Sequence, residues 1–120
     1  MSTRLLIVDD SRMSRLLLQG LILQAHPDWT IVQASSGEEA LQVLQGQPVD
    51  LVSMDFNMHG MNGLEAALEL RKLQPQLPIA ILTANVQSAV QERIEEAGMV
   101  FIPKPVTANA AKQLAQLVGA

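Results

Sequence analysis

Asp9-Asp10, Asp55, Thr83 and Lys104 each stand at the end of a short apolar run: Leu5-Leu6-Ile7-Val8, Leu51 to Met54, Ile79-Ala80-Ile81-Leu82 and Met99-Val100-Phe101-Ile102. Taken singly these residues are ordinary, since Asp after a strand caps helices, Thr is common in strands and Lys is usually solvated. Together they form a constellation. Three carboxylates gathered at one place repel each other and raise at least one carboxyl pKa unless a cation offsets them. Lys104 brings one positive charge, and an oxygen donor set without His or Cys favours a hard ion such as Mg²⁺. Ca²⁺ fits less well, because the spaced acidic loop with a terminal Glu that it often uses is missing. A carboxylate, Mg²⁺, an ammonium and a hydroxyl can together align a phosphoryl group for attack. The cations neutralise its oxygens, one carboxylate becomes an acyl phosphate, and the Thr hydroxyl bonds the new phosphate.

That chemistry requires residues from position 9 to position 104 to meet, so the elements between them must bring every run to one rim. Runs apolar on consecutive positions suit strands covered on both faces, as in a parallel sheet between helices. A fifth run, Thr30-Ile31-Val32, is weaker. Segments of helical length and period separate the runs: 11–24, 37–45, 63–73, 86–97 and 108–118. Val86, Val90, Ile94 and Ala97 share one stripe of the fourth, and Ala110, Leu114, Leu117 and Val118 share one of the fifth. Ser11 is a cap candidate, Ser35-Ser36-Gly37-Glu38-Glu39 holds two overlapping capping boxes, and Asn62-Gly63-Leu64-Glu65 has the same form. Pro27, Gly46 with Pro48, Pro75 with Pro78, and Gly98 supply the stops. Five strand-then-helix repeats predict a three-layer α/β sandwich with a parallel five-stranded sheet. Right-handed crossovers leave few strand orders, of which 2-1-3-4-5 is common at this length. Ligands of such sheets bind beyond the carboxyl ends of the strands, where the polar residues lie.

The 120 residues, 48% hydrophobic, suffice for one packed domain, expected over 1–120. A net charge of −4 with eight basic residues argues against direct binding of nucleic acid or an anionic membrane surface. The lack of cysteine excludes disulfides, thiolate metal sites and cysteine nucleophiles. No apolar run reaches the roughly 18 residues of a membrane span, and a cytoplasmic location is the default expectation.

Ile7-Val8-Asp9-Asp10-Ser11, Met54-Asp55-Phe56-Asn57-Met58 with Gly60-Met61-Asn62-Gly63, Leu82-Thr83-Ala84-Asn85, and Phe101-Ile102-Pro103-Lys104-Pro105 resemble, in order and spacing, the signatures of response-regulator receiver domains. The resemblance spans nearly the whole chain. It implies a flavodoxin-like fold, and it selects the order 2-1-3-4-5 more firmly than the crossover rules do. It further implies that Asp55 is the phospho-acceptor, and that Asp10, Asp55 and the Asn57 backbone carbonyl bind Mg²⁺, with Asp9 acting mainly through a water. Lys104 would pair with the phosphoryl group, Thr83 would move toward it and draw Phe101 inward, and Lys104-Pro105 would be cis. The implied partners are a histidine kinase or phosphotransfer protein and a downstream target on the last-helix face, which includes Gln87, Glu92, Arg93, Phe101, Ala108, Ala111 and Ala115. Such a protein is a switch, its catalysis limited to its own phosphorylation and dephosphorylation.

Two positions depart from the usual Met-Pro-Gly-Met-Asp-Gly loop. His59 replaces Pro, which frees a φ angle, and Asn62 replaces Asp while remaining a good cap. His59 is expected to be an exposed loop residue, as is His26. Asn57 and Asn85 resemble the positions at which family members vary in dephosphorylation rate. An aspartyl-nucleophile phosphatase is a poorer fit, because it needs an Asp-x-Asp pair and a substrate cap. A flavin carrier needs aromatic stackers, and the chain has only Trp29, Phe56 and Phe101. A receiver-like module that works without phosphorylation, or a receiver that is part of a longer protein with an output domain, are the remaining alternatives.

Overall fold

The computed structural model describes residues 3–85 and 87–120. Strand and helix alternate as the apolar runs require: β1 (Arg4–Val8), α1 (Arg12–Ala25), β2 (Thr30–Ala34), α2 (Gly37–Gly46), β3 (Leu51–Asp55), α3 (Gly63–Leu73), β4 (Ile79–Thr83), α4 (Ser88–Glu96), β5 (Val100–Pro103) and α5 (Ala108–Gln116). All strand pairs are parallel and their order is β2-β1-β3-β4-β5. The flavodoxin-like sandwich expected from the sequence is therefore the fold.

Alternation along each strand divides the apolar residues between two cores. Leu6, Val8, Val52, Met54 and Ile81 pack with residues of α2, α3 and α4, such as Leu44, Leu70 and Ile94. Leu5, Ile7, Leu51, Leu82 and Ile102 pack on the other face with Leu18 and Ile22 of α1 and Ala111 and Leu114 of α5. The central strands β3 and β4 are buried at every position, which is why their sequences show no polar alternation. β2, at an edge, is mostly half-exposed and has the weakest apolar run.

Caps fix where the helices begin. Ser11, Ser36, Asn62 and Thr107 each accept a backbone N–H from the first turn through the side chain. Asn62 and Glu65 complete a capping box. Around α2 the work is divided: Ser36 Oγ accepts from Glu39 N–H, whereas the Glu39 carboxylate returns to Ser35, bonding its N–H and hydroxyl. The overlapping boxes expected there reduce to one cap with a brace. α4 starts at Ser88, two residues later than its periodicity predicts, and lacks a side-chain cap; Val86, assigned to its stripe, lies outside the described residues. α5 ends at Gln116, two residues earlier than expected. Gly46 closes α2 from inside the helix, and Gly98 takes φ +80° just after α4. Among the described residues no helix is long and apolar enough to cross a membrane.

Candidate functional site

Because every strand runs the same way, the ends of β1, β3, β4 and β5 deliver their polar residues to one rim. Backbone bonds carry the ladders one residue past the strands: Asp9 N–H donates to the Ala34 carbonyl at 3.1 Å, Phe56 N–H to Leu82 at 2.9 Å, and Lys104 N–H to Thr83 at 2.9 Å. The side chains beside them are thus held by the sheet.

Asp9, Asp10 and Asp55 each offer a carboxylate oxygen, and these oxygens lie within 4.8 Å of one another. Asp9 and Asp55 are buried and Asp10 is more open. Lys104 Nζ stands 2.9 Å from Asp55 Oδ1 and 3.7 Å from Asp9 Oδ2. It approaches Oδ1 off the hydrogen-bonding direction, so this buried oxygen has a charge neighbour but no well-aligned donor. Asp9 Oδ1 accepts the Ser11 N–H at 2.9 Å, which turns the chain into α1. Thr83 is fully buried and its Oγ1 accepts the Asn85 N–H at 3.0 Å. Asn57 lines, with Asp10, Phe56, Met58, His59 and Asn62, an open cavity of about 340 Å³ beside the carboxylates. The Lys104–Pro105 peptide is cis, as expected.

Burial pushes the Asp55 carboxyl above its ordinary range, and the charges of Asp9 and Asp10 push it the same way. The Lys104 ammonium pulls it down without cancelling the rise. An ion pair alone would lower the acid, so desolvation and crowding prevail here. Burial alone would lower Lys104, but its contact with Asp55 and the nearby carboxylate charges raise it on balance. The pocket is short of positive charge. Three carboxylates against one ammonium leave two negative charges, which one divalent cation balances. The all-oxygen side-chain set and the poorly served Asp55 Oδ1 fit a hard ion of the Mg²⁺ kind.

Two further contacts reach this rim. Arg15 donates from Nη1 to the Asp9 carbonyl at 2.7 Å and from Nε to Gln33 Oε1 at 2.9 Å, while Gln33 Nε2 donates to Gln19 Oε1 at 2.6 Å. No spacing in the sequence announced this chain, because it joins α1 to the neighbouring β2. His59 is exposed, as expected, yet its Nδ1 lies 3.0 Å from Asp10 Oδ2 and its backbone N–H 3.4 Å from the same atom. Of the proposed target face, Gln87, Glu92, Arg93 and Ala108 are exposed and Phe101 is half-buried, whereas Ala111 and Ala115 are buried. Those two alanines serve the core.

The sequence pattern of the response regulator receiver domain matches residues 5–116. This chain belongs to that receiver family. The receiver is 36% identical over 106 residues to the chemotaxis protein CheY of Thermotoga maritima, covering 88% of each. It is 34% identical over 113 residues to LuxN of Vibrio campbellii, an autoinducer 1 sensor kinase/phosphatase, covering 94% of this chain and 13% of LuxN. It thus spans a small part of the kinase. The solved structure of the chemotaxis response regulator CheY4 of Vibrio cholerae matches the receiver with a TM-score of 0.85 at 25% identity, over 98% of this chain and 99% of the other.

Proposed function

We propose that residues 1–120 form one receiver unit that accepts a phosphoryl group on Asp55 and changes partner binding when it does. The carrying observation is the buried Asp55 carboxylate beside Lys104 and facing Asp9 and Asp10. In the proposed step an Asp55 carboxylate oxygen bonds phosphorus as the bond from phosphorus to the donor nitrogen breaks, and the departing imidazole takes up a proton. Lys104 holds a phosphoryl oxygen. Thr83 Oγ1, already accepting from Asn85 N–H, keeps its own proton to donate to another. Asp10, Asp55 and the Asn57 carbonyl would hold Mg²⁺, with Asp9 assisting through a water. When bound, the ion supplies neutralisation of the charge on the transferring group. The proposed partners are a histidine kinase or phosphotransfer protein upstream and a target protein at the α4–β5–α5 face downstream, in the cytoplasm. The chemistry is confined to the protein's own phosphorylation and its reversal, without turnover of a separate substrate.

Incubation with a small phosphodonor such as acetyl phosphate, followed by intact mass, tests this directly. One phosphoryl adduct in Mg²⁺ and none in a chelator is the expected result; no adduct in Mg²⁺ overturns it.

Asn57 and Asn85 flank the acceptor as neutral amides, able to orient a water but not to act as a general base. Asn57 is exposed, and Asn85 Oδ1 accepts the Gln87 N–H at 3.1 Å. Exchange of either changes the acyl-phosphate lifetime by about tenfold, or about 1.4 kcal/mol of barrier, with Mg²⁺ affinity nearly unaltered. Decay curves of the purified phosphoprotein decide it, and superimposable curves for both variants count against the assignment.

A further inference from the structure

Asp9 and Asp10 are neighbours in sequence, yet both send a carboxylate into one cluster with Asp55. Successive residues of a strand point to opposite faces, so the chain must leave strand geometry where these two residues join. It does: β1 ends at Val8 and the backbone bends at Asp10. The last rung of the ladder is the Asp9 N–H on the Ala34 carbonyl, so the sheet does not hold the peptide that follows.

Arg15 holds it instead. From the first turn of α1 its side chain reaches back toward the helix N-terminus, the direction helical side chains take, and Nη1 donates to the Asp9 carbonyl at 2.7 Å. The guanidinium is itself braced. Nε donates at 2.9 Å to Gln33 Oε1 on β2. Because Arg only donates, Gln33 must face it with oxygen and turn its amide nitrogen to Gln19, whose oxygen accepts at 2.6 Å. All three side chains are half-buried. Gln33 stands beside Ile7 in the β1–β2 register, so the brace ties the bent peptide to both the sheet and α1.

We propose that Arg15 is a positioning residue: through the Asp9 carbonyl it fixes the turn that aims Asp9 and Asp10 at Asp55, and so sets how tightly the pocket holds Mg²⁺. The inference deepens the proposed function and rests on it. Among the described residues Arg15 makes no ion pair with the three carboxylates, so it reaches them through the main chain. Its charge works against the role, which gives the idea a sign. A positive group near a cation site repels the cation, so charge alone predicts tighter Mg²⁺ binding once Arg15 is removed. Positioning predicts weaker binding.

Calorimetric titration of the wild type, Arg15→Met, Arg15→Lys and Arg12→Met with Mg²⁺ tests it, alongside amide hydrogen exchange in metal-free buffer. Arg15→Met is expected to lose about tenfold in Mg²⁺ affinity, the lower end for groups that orient metal ligands. Lys recovers only a minor part, since one ammonium cannot serve both the Asp9 carbonyl and Gln33. Arg12, exposed at the start of the same helix, controls for charge, and its variant keeps wild-type affinity within about twofold. The Ser11 N–H, held by Asp9 Oδ1, exchanges about tenfold faster in Arg15→Met relative to the Leu6 N–H inside β1. Equal or tighter Mg²⁺ binding by Arg15→Met overturns the proposal, as does full rescue by Lys. Equal loss of protection at Ser11 and Leu6 also overturns it, because a general stabiliser acts on both. Failure of the wild type to bind Mg²⁺ overturns the cation pocket itself, and the exchange ratio then still decides whether Arg15 holds the turn.

Discussion

The Asp55→Asn protein takes up no phosphoryl group from a small phosphodonor, and in metal-free buffer at pH 7 it melts at a higher temperature than the wild type. The chemical half follows because an amide oxygen is a poor nucleophile and the resulting adduct has no stable form. The stability half follows from the electrostatics of the rim. In the folded protein Asp55 has a raised pKa, through burial first and through Asp9 and Asp10 next, despite the opposing pull of Lys104. The native state therefore binds its proton more tightly than the unfolded chain does. Stability then falls as pH climbs from the ordinary value of 3.8 through the raised one, and the cost is complete above it. Asn has the same shape and no charge to desolvate, so the variant lacks that decline. Mg²⁺ should raise the melting temperature of the wild type and do little for the variant, since a ligand stabilises only the state that binds it. Melting curves from pH 3 to pH 8, with and without Mg²⁺, separate these effects. Parallel pH profiles for the two proteins would contradict the account, as would a phosphoryl adduct on the variant.

Gly63→Ala is the second large effect, and it comes from the backbone. Gly63 opens α3, and its N–H donates to the Phe56 carbonyl at 2.9 Å, which closes the loop that follows Asp55. A Cβ on Gly63 would lie 2.4 Å from the Asp55 carbonyl oxygen and 2.8 Å from the Phe56 Cα. Both are main-chain atoms at the end of a central strand, so no rotamer change relieves the clash. Either α3 or the end of β3 must shift. The expected loss is about 3 kcal/mol, at the upper end of the cost of overpacking, or roughly 10 °C in melting temperature. Phosphorylation should slow as well, because the strand end that moves carries Asp55, the proposed acceptor. Gly20→Ala is the control: nothing lies within 4 Å of its added Cβ, and Ala should stabilise an exposed helix interior by up to about 1 kcal/mol. Wild-type melting and reactivity in Gly63→Ala would show that the loop yields more easily than the contacts imply.

The contrast between these positions also marks what can be read from the chain alone. The four strong apolar runs revealed their strands because burial on both faces leaves no room for polar alternation, and the acidic residues, Thr83 and Lys104 are visible as the polar end of each run. The site is legible because a parallel sheet maps strand ends to one place. The Gly63 contact is not, since Gly63 looks in sequence like any residue after an N-cap, and its role depends on how closely α3 approaches β3. Arg15 and His59 are hidden for a related reason. Each acts on a residue from another element, at a distance set by loop and helix placement and by no local period. The late start of α4 belongs here too: its apolar stripe carries no capping side chain, so periodicity alone has nothing to mark the first turn.

Lys104 follows β5, the last strand to be made and an edge of the sheet, while the acids it offsets are much earlier in the chain. During synthesis Asp9, Asp10 and Asp55 all leave the ribosome before their ammonium does. A nascent chain that has folded β1 and β3 side by side has the repulsion without the counter-charge, and no group to grip the phosphoryl oxygens. Under the proposed function, competence to accept a phosphoryl group arrives only with β5.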